Sequence, residues 1–179
     1  REQLPKRMVV LAPTGIAAIN ANGVTIHSFF QLPFSPYIPN TTFRSNATPF
    51  HFGKEKQRII RTMDLLVIDE ISMVRADLLD AVDTMLRHFR YRANEPFGGV
   101  QVVYIGDMYQ LSPVVPDEER QLLSQFYEGP YFFQSKVVRQ QPPVFIELDR
   151  VFRQTNEQFI SLLNEVRNNC LTEAGEQCL

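Results

Sequence analysis

Leu65-Leu66-Val67-Ile68-Asp69-Glu70-Ile71-Ser72-Met73 is the stretch from which the fold can be read. Four apolar residues run straight into two adjacent carboxylates. A short, uninterrupted apolar run reads as a strand buried on both faces, as in a parallel α/β sheet. Carboxylates at the carboxyl end of such a strand face the ligand crevice of that fold. Asp69 is placed to hold Mg²⁺ beside a nucleotide phosphate, directly or through water. Glu70 is placed to orient and deprotonate an attacking water. Apolar-apolar-Asp-Glu is the pattern of a Walker B strand. The alternative is a buried strand that ends in two solvated acids.

Working outward, similar units recur on both sides. Met8 to Leu11 reads as a strand, Ala12 to Gly15 as a turn, and Ile16 to Asn22 as a short helix stopped by Gly23. Val24 to Phe30 mixes β-branched, hydroxyl and aromatic residues. Gln31 to Phe52 carries Pro33, Pro36, Pro39 and Pro49 and reads as a long loop, a kind of segment that tends to be functional or mobile. Lys54 to Thr62 is expected to be a polar helix with Ile59 and Ile60 facing inward. Beyond Glu70, Leu78, Leu79, Val82, Met85, Leu86 and Phe89 form a helical apolar stripe. Its basic end, Arg87, His88, Arg90 and Arg92, reads as a solvated terminus or a phosphate patch.

Pro96 to Gly99 is a turn, and Val100 to Ile105 is expected to be a second buried strand. It delivers Gly106-Asp107-Met108-Tyr109-Gln110. Asp117 to Gln125 reads as a charged helix. The aromatic run Phe126 to Phe133 either stacks bases or packs a loop onto the core, and Ser135 can cap a short helix. Val144 to Leu148 is expected to be a further apolar strand, leading to Arg153-Gln154. Thr155 and Gln158 have capping-box spacing before a helix whose apolar face is Phe159, Leu162, Leu163 and Val166. Strand–helix alternation argues for a parallel α/β domain. Three polar clusters would then share one edge: Asp69-Glu70, Asp107 to Gln110, and Arg153-Gln154.

Composition narrows the function classes. The chain has 179 residues, enough for one domain with a real core. Hydrophobic content of 44% and charged content of 21% argue against disorder. No apolar run approaches a membrane span and no secretory leader is present, so the expected setting is a cytoplasmic, bacterial protein with no membrane partner. Cys170 and Cys178 match no zinc spacing and read as free thiols. Net charge is −2. Any nucleic-acid contact is therefore local, made by amides, hydroxyls, aromatics and a few arginines.

Six motifs stand in one order: Ala12-Pro13-Thr14-Gly15-Ile16-Ala17-Ala18, Thr25-Ile26-His27-Ser28-Phe29-Phe30, Val67 to Met73, Pro96 to Gln101, Gly106 to Leu111, and Leu148 to Gln154. In this order they resemble the Pif-type (petite integration frequency) DNA helicases of superfamily one, relatives of RecD. The resemblance spans almost the whole chain. It implies a RecA-like, three-layer fold, a parallel sheet flanked by helices, and a 5′-to-3′ motor driven by ATP and Mg²⁺ on single-stranded and forked duplex DNA. By resemblance Asp69 ligates Mg²⁺, Glu70 is the catalytic base, Gln110 senses the γ-phosphate and Arg153 is an arginine finger. Pro13, Thr14, Gly15, His27, Ser28 and Phe29 match the family's single-strand contacts. One of Phe29 and Phe30 is expected in the core.

One departure is large. No Gly-x-x-x-x-Gly-Lys-Ser/Thr occurs in these residues. The expectation is a partial first motor domain spanning 1–179, with a Pro-rich loop at 31–52, inactive by itself. The resemblance further implies a missing central strand between Val100–Ile105 and Val144–Leu148, leaving sheet edges open to self-association. The alternatives are a P-loop ATPase without a DNA role, and a non-catalytic module that binds DNA or protein.

Overall fold

The computed structural model describes residues 6–39, 52–148, 152 and 156–177, and the chain divides after Pro143 into two compact units. The first holds a four-stranded sheet of β1 (Met8–Ala12), β2 (Val24–Thr25), β3 (Leu65–Ile68) and β4 (Gln101–Tyr104). Spatial order is β2-β1-β3-β4, and every neighbouring pair is parallel. Val10 of β1 faces Val67 of β3, which faces Val103 of β4. Parallel neighbours require crossovers, and helices supply them. These are α1 (Gly15–Asn20), α2 (Ile26–Phe30), α3 (Lys54–Thr62) and α4 (Ala76–Phe89). The fold is the parallel α/β sheet that the apolar run at Leu65 implies.

Local chemistry explains the element ends. Thr14 caps α1 by accepting from the Ala17 N–H, and Thr25 caps α2 by accepting from the Ser28 N–H, each at 3.2 Å. Asn22, at φ 51°, is the left-handed residue after α1, and the Gly23 N–H closes the turn on the Ala18 carbonyl at 2.8 Å. The expected terminator was Gly23. Its φ is not left-handed, and it is needed for space instead. A Cβ there would lie 2.4 Å from the Val10 carbonyl oxygen.

Four other expectations change. Val100–Ile105 is not buried on both faces, because β4 is the edge of the sheet among the described residues and Val103 and Ile105 reach solvent. In α3 only Ile60 faces inward and Ile59 is exposed, since adjacent helical residues point about 100° apart. Val144 to Leu148 is not a strand: it has no regular secondary structure, and its apolar side chains are 78–90% exposed. Hydrophobicity alone does not make a strand without a ladder partner for the backbone. The cap of the last long helix, α7 (Glu157–Arg167), is Asn156, which accepts from the Phe159 N–H at 3.0 Å. Thr155 lies outside the described residues, as do 40–51 of the Pro-rich loop.

The core gathers on α4. Leu79, Val82, Met85 and Leu86 are fully buried with Leu66 and Ile68 of β3 and Phe30 of α2. Three aspartates on the same helix are also buried, and each tethers a loop. Asp77 accepts from the Tyr37 N–H and pairs with Arg75; Asp83 accepts from the Phe97 N–H at 2.6 Å and pairs with Arg87. Asp80 accepts from the Tyr127 hydroxyl and from the first N–H groups of α6 (Lys136–Gln140). The basic end of α4 divides: His88 and Arg92 are exposed, as a solvated terminus would be, while Arg87 pairs with Asp83 and Arg90 is tied into the fold. The Arg90 guanidinium donates to four carbonyls, those of Ile60, Arg61, Met63 and Gly98, and burial lowers its pKa. The aromatic run resolves toward packing: Tyr127 is buried, and Phe132 packs on Tyr104. The charged helix is α5 (Asp117–Leu123), and Ser135 caps α6 by accepting from the Val138 N–H.

The second unit contains α7 and α8 (Glu173–Glu176), tied by Glu165, which accepts from both the N–H and the hydroxyl of Thr172. Cys170 is an exposed free thiol, and Cys178 lies outside the described residues. Among the described residues no helix is long and apolar enough to cross a membrane.

Candidate functional site

At the carboxyl end of β3 the chain turns sharply. The Asp69 N–H donates to the Leu11 carbonyl at 2.8 Å, which continues the pairing with β1. Glu70 then adopts a left-handed backbone, φ 50° and ψ 45°. A non-glycine residue there is strained. The strain is held from both sides: the Glu70 N–H donates to Asp69 Oδ1 at 3.0 Å, and the Ile71 N–H donates to the Ile105 carbonyl at 2.9 Å. Both carboxylates are half-buried.

The end of β4 meets this turn. A Cβ on Gly106 would lie 3.0 Å from the Ile71 nitrogen and 3.2 Å from the Ser72 nitrogen, so any side chain there would press the two strand-end loops apart by a few tenths of an ångström. Asp107 follows and organises its own loop. Its carboxylate accepts from the Tyr109 N–H at 3.0 Å and from the Gln110 side-chain amide at 3.2 Å. Gln110 is otherwise exposed. The structure therefore brings together two of the three expected clusters, Asp69-Glu70 and Asp107 to Gln110. Arg153 and Gln154 lie outside the described residues. Ser72, between the two loops, has a buried hydroxyl oxygen with no hydrogen-bond partner among the described residues.

Pro13, Thr14 and Gly15 form the turn beyond β1, and His27 and Ser28 lie on α2 directly beyond β2. All five are at least partly accessible, with Gly15 and Ser28 exposed. Phe29 is not: it is 8% exposed, packed edge-on to Phe30 at 4.9 Å. Both phenylalanines are core, so Phe29 supports this face from beneath and offers no ring to a ligand. The reason is helical geometry, since α2 must bury Ile26, Phe29 and Phe30 on one side.

His27 is half-buried, and burial with the nearby Arg75 guanidinium lowers its pKa, against a smaller opposing effect of Asp77. The folded state therefore binds fewer protons than the unfolded chain just below pH 6.5. Stability from this group is present above that pH and is lost as pH falls. An NMR titration of the His27 imidazole is expected to have its midpoint below 6.5; a midpoint above it would contradict the environment described.

Two neighbours of this face were missed in the sequence. Lys56 of α3 donates to the Ser28 carbonyl at 3.2 Å, and its ammonium sits 5.1 Å from the Phe29 ring centre. Phe34 stacks on His27. Neither has a local signal, because both reach the face from segments distant in sequence or without periodicity. A separate cleft of about 440 Å³ lies beside α5, lined by Arg75, Arg120 and Tyr127 among others. It contains none of the strand-end acids, and its arginines are paired, Arg75 with Asp77 and Glu119 and Arg120 with Asp117.

Comparison with known proteins places this arrangement. The chain is 34% identical over 173 residues to the ATP-dependent DNA helicase PIF1 of Saccharomyces cerevisiae, covering 96% of this chain and 19% of the relative. It is similar to the Pif1 helicase from Bacteroides solved with ADP-AlF3 and single-stranded DNA, with 46% identity, a TM-score of 0.87, and 97% of this chain covered against 39% of that one. A structure of two coordinating Pif1 helicases at forked duplex DNA superimposes equally well, at 46% identity and TM-score 0.87, and the chain spans 41% of it. The chain thus covers about a fifth of the curated relative and about two fifths of the solved chains. The PIF1-like helicase family profile matches residues 2–177, and the chain belongs to that family.

Proposed function

We propose that these residues form part of the first motor domain of a RecD-like, ATP-dependent DNA helicase, one that moves 5′ to 3′ on single strands and opens forked duplexes. The observation that carries the reading is the acid pair at the end of β3, held by a strained turn against the Gly106–Gln110 loop. Family membership and the nucleotide- and DNA-bound relatives support it.

The residues fit a magnesium–nucleotide group. Mg²⁺ keeps several waters and takes one or two carboxylates with substrate phosphates, and among the described residues no cluster of three or more potential protein ligands gathers. Asp69 is the carboxylate that would hold it, and the unpartnered Ser72 hydroxyl lies close by in the chain. When bound, Mg²⁺ neutralises charge on the phosphates of ATP. Glu70 accepts the proton of the attacking water. Gln110 reads the terminal phosphate by exchanging its amide from Asp107 to the nucleotide. Arg153 supplies a planar, permanently charged donor to the phosphoryl oxygens. Thr14, Gly15, Pro13, His27 and Ser28 grip the single strand through amides, hydroxyls and one ring, which is consistent with a chain of net charge −2. The open edge of β4 is where a further strand or a second copy pairs.

The test is ATP hydrolysis by the full-length protein with and without single-stranded DNA. Stimulation of tenfold or more is the expected result. Hydrolysis indifferent to DNA would leave an ATPase and remove the DNA roles.

A further inference from the structure

The geometry points to Phe34 as a stacking platform for one unpaired base, set directly on His27. This inference rests on the DNA face proposed above and adds a residue to it. The two rings lie 4.8 Å apart at 25°, so stacking occupies one face of Phe34. The side chain is nonetheless 84% exposed, which leaves the opposite face to solvent.

A single exposed phenylalanine carries little meaning by itself. What distinguishes Phe34 is the frame that holds it. On one side, the Leu32 N–H donates to the His27 carbonyl at 3.0 Å and the Leu32 side chain is buried. On the other, the Tyr37 N–H donates to Asp77 at 2.9 Å, and the Tyr37 and Thr84 hydroxyls bond at 2.9 Å. Both anchors on that side belong to α4, the most buried helix. Pro33 and Pro36 bracket the ring and fix φ at their positions. A ring presented on a fixed frame loses little entropy when a ligand stacks on it.

The surroundings match the ligand. Ser28 is exposed one residue from His27, and the Lys56 ammonium is bonded to the Ser28 carbonyl. A hydroxyl and a cation suit a phosphate, and a free ring face suits a base. Together they are the two components of single-strand recognition without sequence preference. Bases in a duplex are already stacked and paired, so the platform favours unpaired strand.

The experiment is equilibrium binding of a labelled oligothymidylate to the full-length protein, followed by fluorescence anisotropy. Wild type is compared with Phe34→Ala and Phe34→Trp, each also on an oligonucleotide of the same length made of abasic sites. Phe34→Ala is expected to weaken binding about tenfold, and Phe34→Trp to bind as tightly as wild type. On abasic strand, wild type and Phe34→Ala are expected to be equal. Equal binding of wild type and Phe34→Ala to the normal strand would overturn the assignment while leaving the DNA face intact. An alanine defect that persists on abasic strand would also overturn it, since the ring would then act on the protein and not on a base. Failure of wild type to bind single strands at all would remove the DNA face itself.

Discussion

Replacing Glu70 by glutamine is expected to lower DNA-stimulated ATP hydrolysis of the full-length protein by about 10²–10⁴-fold, the range for loss of a positioned general base. Single-strand affinity should stay within about twofold. The substitution keeps the shape and the backbone. The Glu70 N–H can still donate to Asp69, and the Ile71 N–H can still donate to Ile105. Only the proton acceptor is lost. A companion variant separates chemistry from strain. Glu70→Gly relieves the left-handed φ of 50°, so it should unfold at a denaturant concentration equal to or higher than wild type, by up to about 1 kcal/mol, while remaining inactive. Full activity in Glu70→Gln would end its assignment as base. A less stable Glu70→Gly would mean that the side chain, and not the function, explains the turn.

Asp80→Ala is expected to have the largest effect on stability, a loss of about 3–5 kcal/mol and about 10 °C in melting temperature. Asp80 is only 5% exposed. Its carboxylate accepts from the Tyr127 hydroxyl at 2.9 Å and from the Lys136 and Val137 N–H groups at 3.0 Å. Those two amides open α6 and have no partner within their own helix. Alanine would strand two buried donors and a part-buried one at once. Desolvation raises the Asp80 pKa, and the two amides and the Tyr127 hydroxyl pull it back. Asp80→Asn keeps one acceptor oxygen and should lose roughly half as much. Urea unfolding of the two variants beside wild type measures the difference. A loss below about 1 kcal/mol for Asp80→Ala would show that α6 and the Tyr127 loop do not depend on this carboxylate.

The buried aspartates also mark where reading along the chain stopped short. Asp77, Asp80 and Asp83 interrupt an otherwise apolar face of α4. In sequence they look like ordinary solvated acids, and each accepts from at least one backbone amide of a distant loop, a partner that leaves no signature in residue identity. Arg90 was misread in the same way, as part of a solvated or phosphate-binding end, because carbonyls from two separate segments, the end of α3 and Gly98, converge on it only after folding.

The parallel α/β class, the position of Asp69-Glu70 at a strand end, the clustering with Asp107 to Gln110, and the family were all legible along the chain. Those features depend on short-range patterns: uninterrupted apolar runs, strand–helix alternation and motifs in a set order. Tertiary structure alone decided that β4 is an edge, that Val144–Leu148 is not a strand, that Phe29 is core, and that Glu70 sits in a strained turn. It also decided that Phe34 stands on His27. Each of these depends on which partner a residue meets across the fold. An apolar run becomes a strand only with a ladder beside it, and a phenylalanine faces solvent or core according to which side of its helix must be buried.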